Sequence, residues 1–424
     1  MTQTPSTPDV VLADGLLPDG RRVDLHIVDG IVDRVVDRAS EPSDPAGSAA
    51  LHDLGGRLLL PALAEPHAHV DKALTADLVD NPRGDLTGAI EGWIAAAAAG
   101  RFTYEDMVVR ARRALELLLL NGTTAVRTHV NIGGAIGTSH VRAVLEAASE
   151  FEELIDLELA ALPNSPMTGP DGAENRAAMS RAIELGVHLI GGCPHLDPDP
   201  HQLIRQTIEV ASEAGLGIDL HSDETLDPDM LTLPELARQV IESGFDGSVV
   251  ASHCVSLGMQ PVPVQEEVAR LLAEAKIAVV ALPQTNLFLQ GRDHPSAMPR
   301  GLTAVRALEE AGTLLVAGAD NVQDPFNPVG RSDPMETASL MMMAGHVDAA
   351  TALDMVSDRV RTALRLPAAG PRVGDRGDLV AIGAPNVRGA IADAPHDRLV
   401  FRDGRLVARS VEERTLLTPG RAVS

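Results

Sequence analysis

Four residues of metal-binding type recur where a parallel-sheet protein would gather them. His67 and His69 alternate by two in Pro66-His67-Ala68-His69, so on a strand both side chains point to one side. His221 opens His221-Ser222-Asp223-Glu224, and Asp320 lies in Gly318-Ala319-Asp320-Asn321. Three imidazoles and a carboxylate form a borderline-hard donor set that suits a divalent zinc- or iron-like ion. Such an ion makes hydroxide from water near neutral pH, so the chemistry expected is metal-dependent hydrolysis. His253 closes a further apolar run between His221 and Asp320. A His-x-His alone is more often two satisfied core histidines than a ligand pair. Its place at the end of one strand, with His221 and Asp320 at the ends of others, points to a ligand pair.

These residues need a scaffold that brings strand ends together. Apolar, strand-like runs end near His69, Val130, Leu162, Pro194, His221, His253, Pro283 and Asp320. Between most of them lie helical patterns, over about 139–150, 173–186, 200–214, 231–244, 261–276 and 302–311. One helix starts after Thr103 and carries Met107, Val108, Ala111, Leu115 and Leu118 on one face. Eight buried strands alternating with helices predict a (β/α)8 TIM barrel of α/β class, whose chemistry gathers at the C-terminal strand ends. His67, His69, His129, His195, His221 and His253, six of the 14 histidines, fall at or just past those ends. The first 60 residues read instead as short strands, with Asp-Gly pairs at 14–15, 19–20 and 29–30 as hairpin signals. The tail repeats that style through Asp403-Gly404. The two ends are therefore expected to form one small composite β-sandwich, from 1–60 and 371–424, around a catalytic barrel over 61–370.

Composition narrows the partners. The chain has 424 residues, is 45% hydrophobic and carries a net charge of -25. That surface repels nucleic-acid phosphates and anionic lipid, so both are excluded as partners. No apolar run approaches the roughly 20 residues of a membrane span. Residues Met1 to Val10 are polar and carry no basic-then-apolar signal segment, so a soluble cytoplasmic protein is expected. Cys193 and Cys254 cannot make a disulfide framework and read as small buried hydrophobes. There are two lysines, Lys72 and Lys276.

Taken in order, Glu65-Pro66-His67-Ala68-His69-Val70-Asp71-Lys72, Val126-Arg127-Thr128-His129-Val130, His221-Ser222-Asp223-Glu224, Ala251-Ser252-His253 and Ala319-Asp320-Asn321 followed by Asp324-Pro325-Phe326-Asn327-Pro328 resemble the amidohydrolase superfamily, and within it the cytosine deaminase-like group. The resemblance covers roughly residues 55 to 345. It implies that His67, His69, His221 and Asp320 ligate one catalytic metal ion, zinc or iron. Dinuclear members add a carboxylated lysine on the fourth strand; here that strand, His188 to Pro194, has none. Glu224 matches the deaminases' proton-shuttling glutamate, a role a buried carboxyl with a raised pKa can fill. His253 matches the histidine that contacts the attacking water and the developing oxyanion, and Asp320 would also take a proton from that water. The implied reaction is hydroxide attack on an amino-bearing ring carbon, with loss of ammonia.

Two positions depart from the cytosine deaminases. Asn164 stands where they carry a glutamine, and Asn321 where they carry a second aspartate. Both would change the hydrogen bonds offered to the substrate ring, and Asp320-Asn321 also resembles the related N-isopropylammelide amidohydrolase branch. The alternative is therefore cleavage of a substituted amine or a cyclic amide on a triazine, creatinine-like or hydantoin-like ring. Of the remaining candidates, His129 reads as a supporting group beneath the ligands, and His195 as either a pocket residue or a loop cap. Phe326 and Phe288 are ring-stacking or core residues, Arg292 is a loop brace, and Lys72 anchors a loop through an ion pair. A non-catalytic scaffold is disfavoured by the complete ligand set with Glu224 and His253. The partner expected is a small heterocyclic substrate, with a homo-oligomer possible in this superfamily.

Overall fold

A computed structural model describes residues 9–39 and 49–416. Five strands come first: β1 (Val10–Leu16), β2 (Arg22–Val28), β3 (Ile31–Asp37), β4 (Ala50–Asp53) and β5 (Leu58–Pro61). The next eight alternate with helices: β6 (Leu63–Ala68), β7 (Thr123–Ile132), β8 (Asp156–Pro163), β9 (Leu189–Gly192), β10 (Gly217–Ser222), β11 (Val249–His253), β12 (Ala278–Ala281) and β13 (Leu315–Ala317). The last three are β14 (Leu379–Ile382), β15 (Arg398–Arg402) and β16 (Arg405–Ser410).

Strands β6 to β13 pair in sequence order, each parallel to the next. The ring closes where Ala68 bridges to Asp320, the Asp320 amide donating to the His67 carbonyl at 3.0 Å. This is the (β/α)8 barrel, and its closure seam already joins two of the four metal-type residues. Helices pack outside it. The helix Tyr104–Leu120 is capped by Thr103, whose side chain accepts from the Asp106 amide, and it buries Met107, Val108, Ala111, Leu115 and Leu118 against the barrel. Gly215 and Gly244 end their helices at φ 67° and 65°, a left-handed turn that glycine makes without Cβ strain.

Both ends of the chain share the second sheet, ordered β16-β15-β14-β5-β1-β2-β3, with β4 on the flank of β1. Strand β5 alternates its faces: Leu59 enters the sheet's own core with Leu12, Leu25, Ile27 and Phe401, while Leu58 and Leu60 join the barrel cluster. Asp29-Gly30 and Asp403-Gly404 make hairpin turns at positive φ. Asp14-Gly15 is not a turn. It is a bulge inside β1, with the register against β2 shifting between Leu12 and Gly15, because the strand continues to pair on both sides of it. Among the described residues, no helix is long and apolar enough to cross a membrane.

Candidate active site

Alternation along the strands builds the site in two layers. On β10, Asp219 and His221 point inward one above the other, and on β7 His129 takes the lower position. His67 and His69 come from the end of β6, His253 from the end of β11, and Asp320 from three residues beyond β13. His253 and Asp320 reach inward from a left-handed backbone, at φ 70° and 66°. Non-glycine residues hold that conformation only where surrounding contacts impose it, and such residues cluster at functional sites. Gly318 is required beside them: a Cβ there would lie 2.3 Å from Glu65 Oε1. Glu65 accepts from the His67 and Ala319 amides and so clamps the two ligand-bearing segments together.

The ligand-type atoms converge. His69 Nε2 lies 3.2 Å from His221 Nε2 and 3.3 Å from Asp320 Oδ1, and His67 Nε2 lies 3.8 Å from the same oxygen. Donor atoms of His67, His69 and His221 fit within 4.8 Å of one another, as do those of His67, His253 and Asp320. Burial, with neighbouring imidazoles, holds His67, His69 and His221 far below the usual histidine range, so their rings are neutral. Burial and then Asp324 push Asp320 up to about 8. Four atoms here are buried with no hydrogen-bond partner: His67 Nε2, His221 Nδ1, His253 Nε2 and Asp320 Oδ1. Buried polar atoms are rarely left orphaned, and a divalent cation would satisfy this imidazole and carboxylate set. A third grouping, His67 with His129 and Asp219, is a poorer cation site. Asp219 is already engaged by Arg127 Nη1 at 3.0 Å and by the Ser252 hydroxyl at 3.0 Å.

Supporting contacts fix the ligand rings. Burial raises Asp219, but His129 and Arg127 outweigh it and hold the group below the usual carboxylate range. As an ionised acceptor it receives the hydrogen bond that the Ser252 hydroxyl donates, which leaves the lone pairs of Ser252 Oγ to accept from His67 Nδ1 at 2.9 Å. The proton of His67 therefore sits on Nδ1, and Nε2 presents a lone pair to the site. His129 lies beneath, its ring 4.0 Å from that of His67. Lys72 Nζ reaches His69 Nδ1 at 2.8 Å, the partner found here in place of the ion pair expected from the sequence. That bond uses Nδ1 as an acceptor, so a ligating His69 Nε2 requires Lys72 to release it.

Above the cluster opens a cavity of about 230 Å³. Glu224 lines it, fully buried, with Oε1 3.4 Å from His253 Nδ1. Burial and then the Asp320 charge raise Glu224 well above the usual carboxyl range, which favours its protonated form. His253 Nδ1 also faces Asn286 Oδ1 at 3.1 Å, and burial lowers this histidine to about 3. Asn164, Asn321 and Phe326 line the same cavity. Asn321 is held by Thr285 Oγ1 at 3.3 Å and by its own donation to Asp324 Oδ2 at 2.8 Å. His195 lines an adjoining cavity instead, and its Nδ1 lies 3.2 Å from the His221 carbonyl. Phe288 is outside the site, stacked under Arg292, which braces the loop by donating to the Phe288 carbonyl. Cys193 lines the cavity with its thiol pushed up to about 12 by burial, too high to be a nucleophile.

Several lining residues carry no signal of their own in the sequence. Asn131 presents an unpartnered, buried Oδ1. Helix Leu86–Ala98 roofs the cavity with Leu86, Ile90, Trp93 and Ile94. Asp85 caps it through the Gly88 amide at 2.7 Å, an N-cap signal legible in Asp85-Leu86-Thr87-Gly88.

The amidohydrolase family matches residues 137–408. The chain is 30% identical to a pterin deaminase of Rhizobium rhizogenes over 399 residues, covering 92% of this chain and 89% of that protein. It is 24% identical to the N-isopropylammelide isopropyl amidohydrolase of a Pseudomonas species, over 84% of this chain and 87% of the other. The crystal structure of 5-methylcytosine deaminase from Klebsiella pneumoniae liganded with 5-fluorocytosine superposes with a TM-score of 0.87 at 28% identity, over 96% and 99% of the two chains.

Proposed function

The chain belongs to the amidohydrolase family, a family of metal-dependent hydrolases, and on that premise we propose that it deaminates an amino-substituted nitrogen heterocycle, using one zinc or iron ion. The observation that carries this is the place of Glu224: a buried carboxyl whose pKa burial raises, in the same cavity as the imidazole and carboxylate cluster and 3.4 Å from His253. A protonated acid is what a neutral ring nitrogen needs if the adjacent carbon is to accept water. In the balanced reaction water adds across the ring C=N bond, the amino group leaves as ammonia, and the ring keeps a carbonyl with an N–H.

His67, His69, His221 and Asp320 would hold the ion, whose Lewis acidity lowers the pKa of water when it is bound. Glu224 delivers its proton to the ring nitrogen and then carries one to the departing amine. Asp320, with an oxygen toward His253 Nε2 at 3.9 Å, accepts the proton that the water loses. His253, oriented by Asn286, faces the oxygen that becomes the product carbonyl. Asn164, Asn321 and Lys72 meet the ring edge. Phe326 supplies a ring face, and His195 supports from the adjoining cavity. Two observations support one ion rather than two. Residues 188–194 contain no lysine, and a side chain at Gly191 would meet the Ala161 carbonyl at 2.5 Å.

The test is ammonia release by zinc- or iron-loaded protein from cytosine, 5-methylcytosine, isocytosine, pterin and amino-triazines. Ammonia from at least one ring is expected. An alkylamine from an N-alkyl triazine, with no ammonia from any ring, would overturn deamination in favour of substituted-amine hydrolysis, to which Asp320-Asn321 also conforms.

A further inference from the structure

We infer that Lys72 sets the charge of the substrate: in the metal-loaded site its ammonium binds a negatively charged oxygen group carried by the heterocycle, so that an anionic ring is preferred over a neutral one. This deepens the proposed deamination and rests on it. Lys72 lines the cavity and is 4% exposed. Among the described residues no carboxylate comes within ion-pairing distance of it, and its hydrogen-bond partner is His69 Nδ1 at 2.8 Å. Asp71, its neighbour in the chain, is turned instead to His140 Nδ1 at 3.0 Å and to the Asn131 amide at 3.1 Å. An ammonium has three protons to donate, and burying one without a counter-charge is costly.

The rings of Phe326 and Trp93 supply part of what is missing, with centroids 5.4 Å and 6.0 Å from Nζ. A ring face attracts a cation but leaves its N–H donors without a strong acceptor. Ligation through His69 Nε2 takes away the other partner, because Nδ1 then carries the proton of the neutral ring. None of the contacts Lys72 makes in the chain then offers its ammonium a hydrogen-bond acceptor. Lys72 is also the only lysine or arginine among the residues that line the cavity. The other walls bring the carboxyls of Glu224 and Asp320 and the unpartnered Oδ1 of Asn131, all of which disfavour an anion. A negative group on the substrate therefore has one place to go, against Lys72 and beside the rings of Phe326 and Trp93.

The test is calorimetric titration of zinc-loaded protein with uracil, uracil-5-carboxylate, uracil-6-carboxylate and barbiturate. All are oxo-pyrimidines, the product class of deaminating an aminopyrimidine. The two carboxylates carry their charge on a substituent, and barbiturate carries it on ring oxygen. At least one anion is expected to bind about tenfold or more tightly than uracil, as a hydrogen bond between charged groups would give. Which anion does so identifies the source of the charge. Lys72→Met should abolish the preference, and Lys72→Arg should keep part of it. Lys72→Met should also fold and bind zinc at least as tightly as the native protein, since it removes an unpaired buried charge and the competitor at His69 Nδ1. Anions that bind no better than uracil, or not at all, would overturn the inference. So would a preference that survives Lys72→Met, since the anion would then be meeting the metal. Loss of the fold, or about tenfold weaker zinc binding, in Lys72→Met would do the same by making Lys72 a support for the ligands. Ammonia release from isocytosine and its ring carboxylates separates the two readings. Ammonia with no anion preference upholds deamination and sinks the role of Lys72. A Lys72-dependent anion preference with no ammonia from any of these rings does the reverse.

Discussion

Ser252 has no place in the chemistry, yet its loss should weaken the metal. The hydroxyl is fully buried between His67 Nδ1 at 2.9 Å and Asp219 Oδ1 at 3.0 Å. Ser252→Ala removes the acceptor that keeps the His67 proton on Nδ1. Asp219 keeps Arg127, so the carboxylate is not orphaned, and the cost falls on the imidazole. A buried N–H without an acceptor costs about 1–3 kcal/mol, which converts to a roughly 5- to 150-fold weaker metal affinity. Changes to such outer partners elsewhere weaken metal binding by about 10- to 100-fold. The assay is competition for zinc against a chromophoric chelator, with ion stoichiometry measured on the same samples. Thermal unfolding of the metal-free proteins checks that the variant folds. An affinity within about twofold of the native protein, with unfolding of the metal-free form unchanged, would refute this account of His67.

Glu224→Gln should retain the metal and lose about 10²- to 10⁴-fold in kcat, the usual contribution of a positioned general acid. Near-normal turnover would remove Glu224 from the proton path. Glu65 predicts a pH dependence of stability. Burial raises its carboxyl from 4.5 to about 8, so its contribution is fully present below about pH 4.5 and is lost as pH rises through about 8. The Tm of native metal-free protein should therefore fall more steeply between about pH 5 and about pH 8 than that of Glu65→Gln, and parallel profiles would show that Glu65 is ionised throughout.

The barrel was legible because its signal is local. Buried parallel strands are continuous apolar runs, and the eight expected ends fall within a few residues of the observed ones, from Ala68 to Ala317. The histidines were legible for the same reason, since a polar residue ending an apolar run has to point somewhere. The roof helix was not. Its Gly88 and Gly92 and the run Ala95 to Ala99 blur any apolar stripe. The helix packs by close approach instead: a Cβ at Gly92 would lie 2.7 Å from the Asp80 carbonyl. Lys72 could be placed near the ligands from its spacing, but only the turn after β6 delivers it to His69 rather than to a carboxylate. The left-handed backbone of His253 and Asp320 leaves no trace in residue type, because tertiary contacts impose it against local preference.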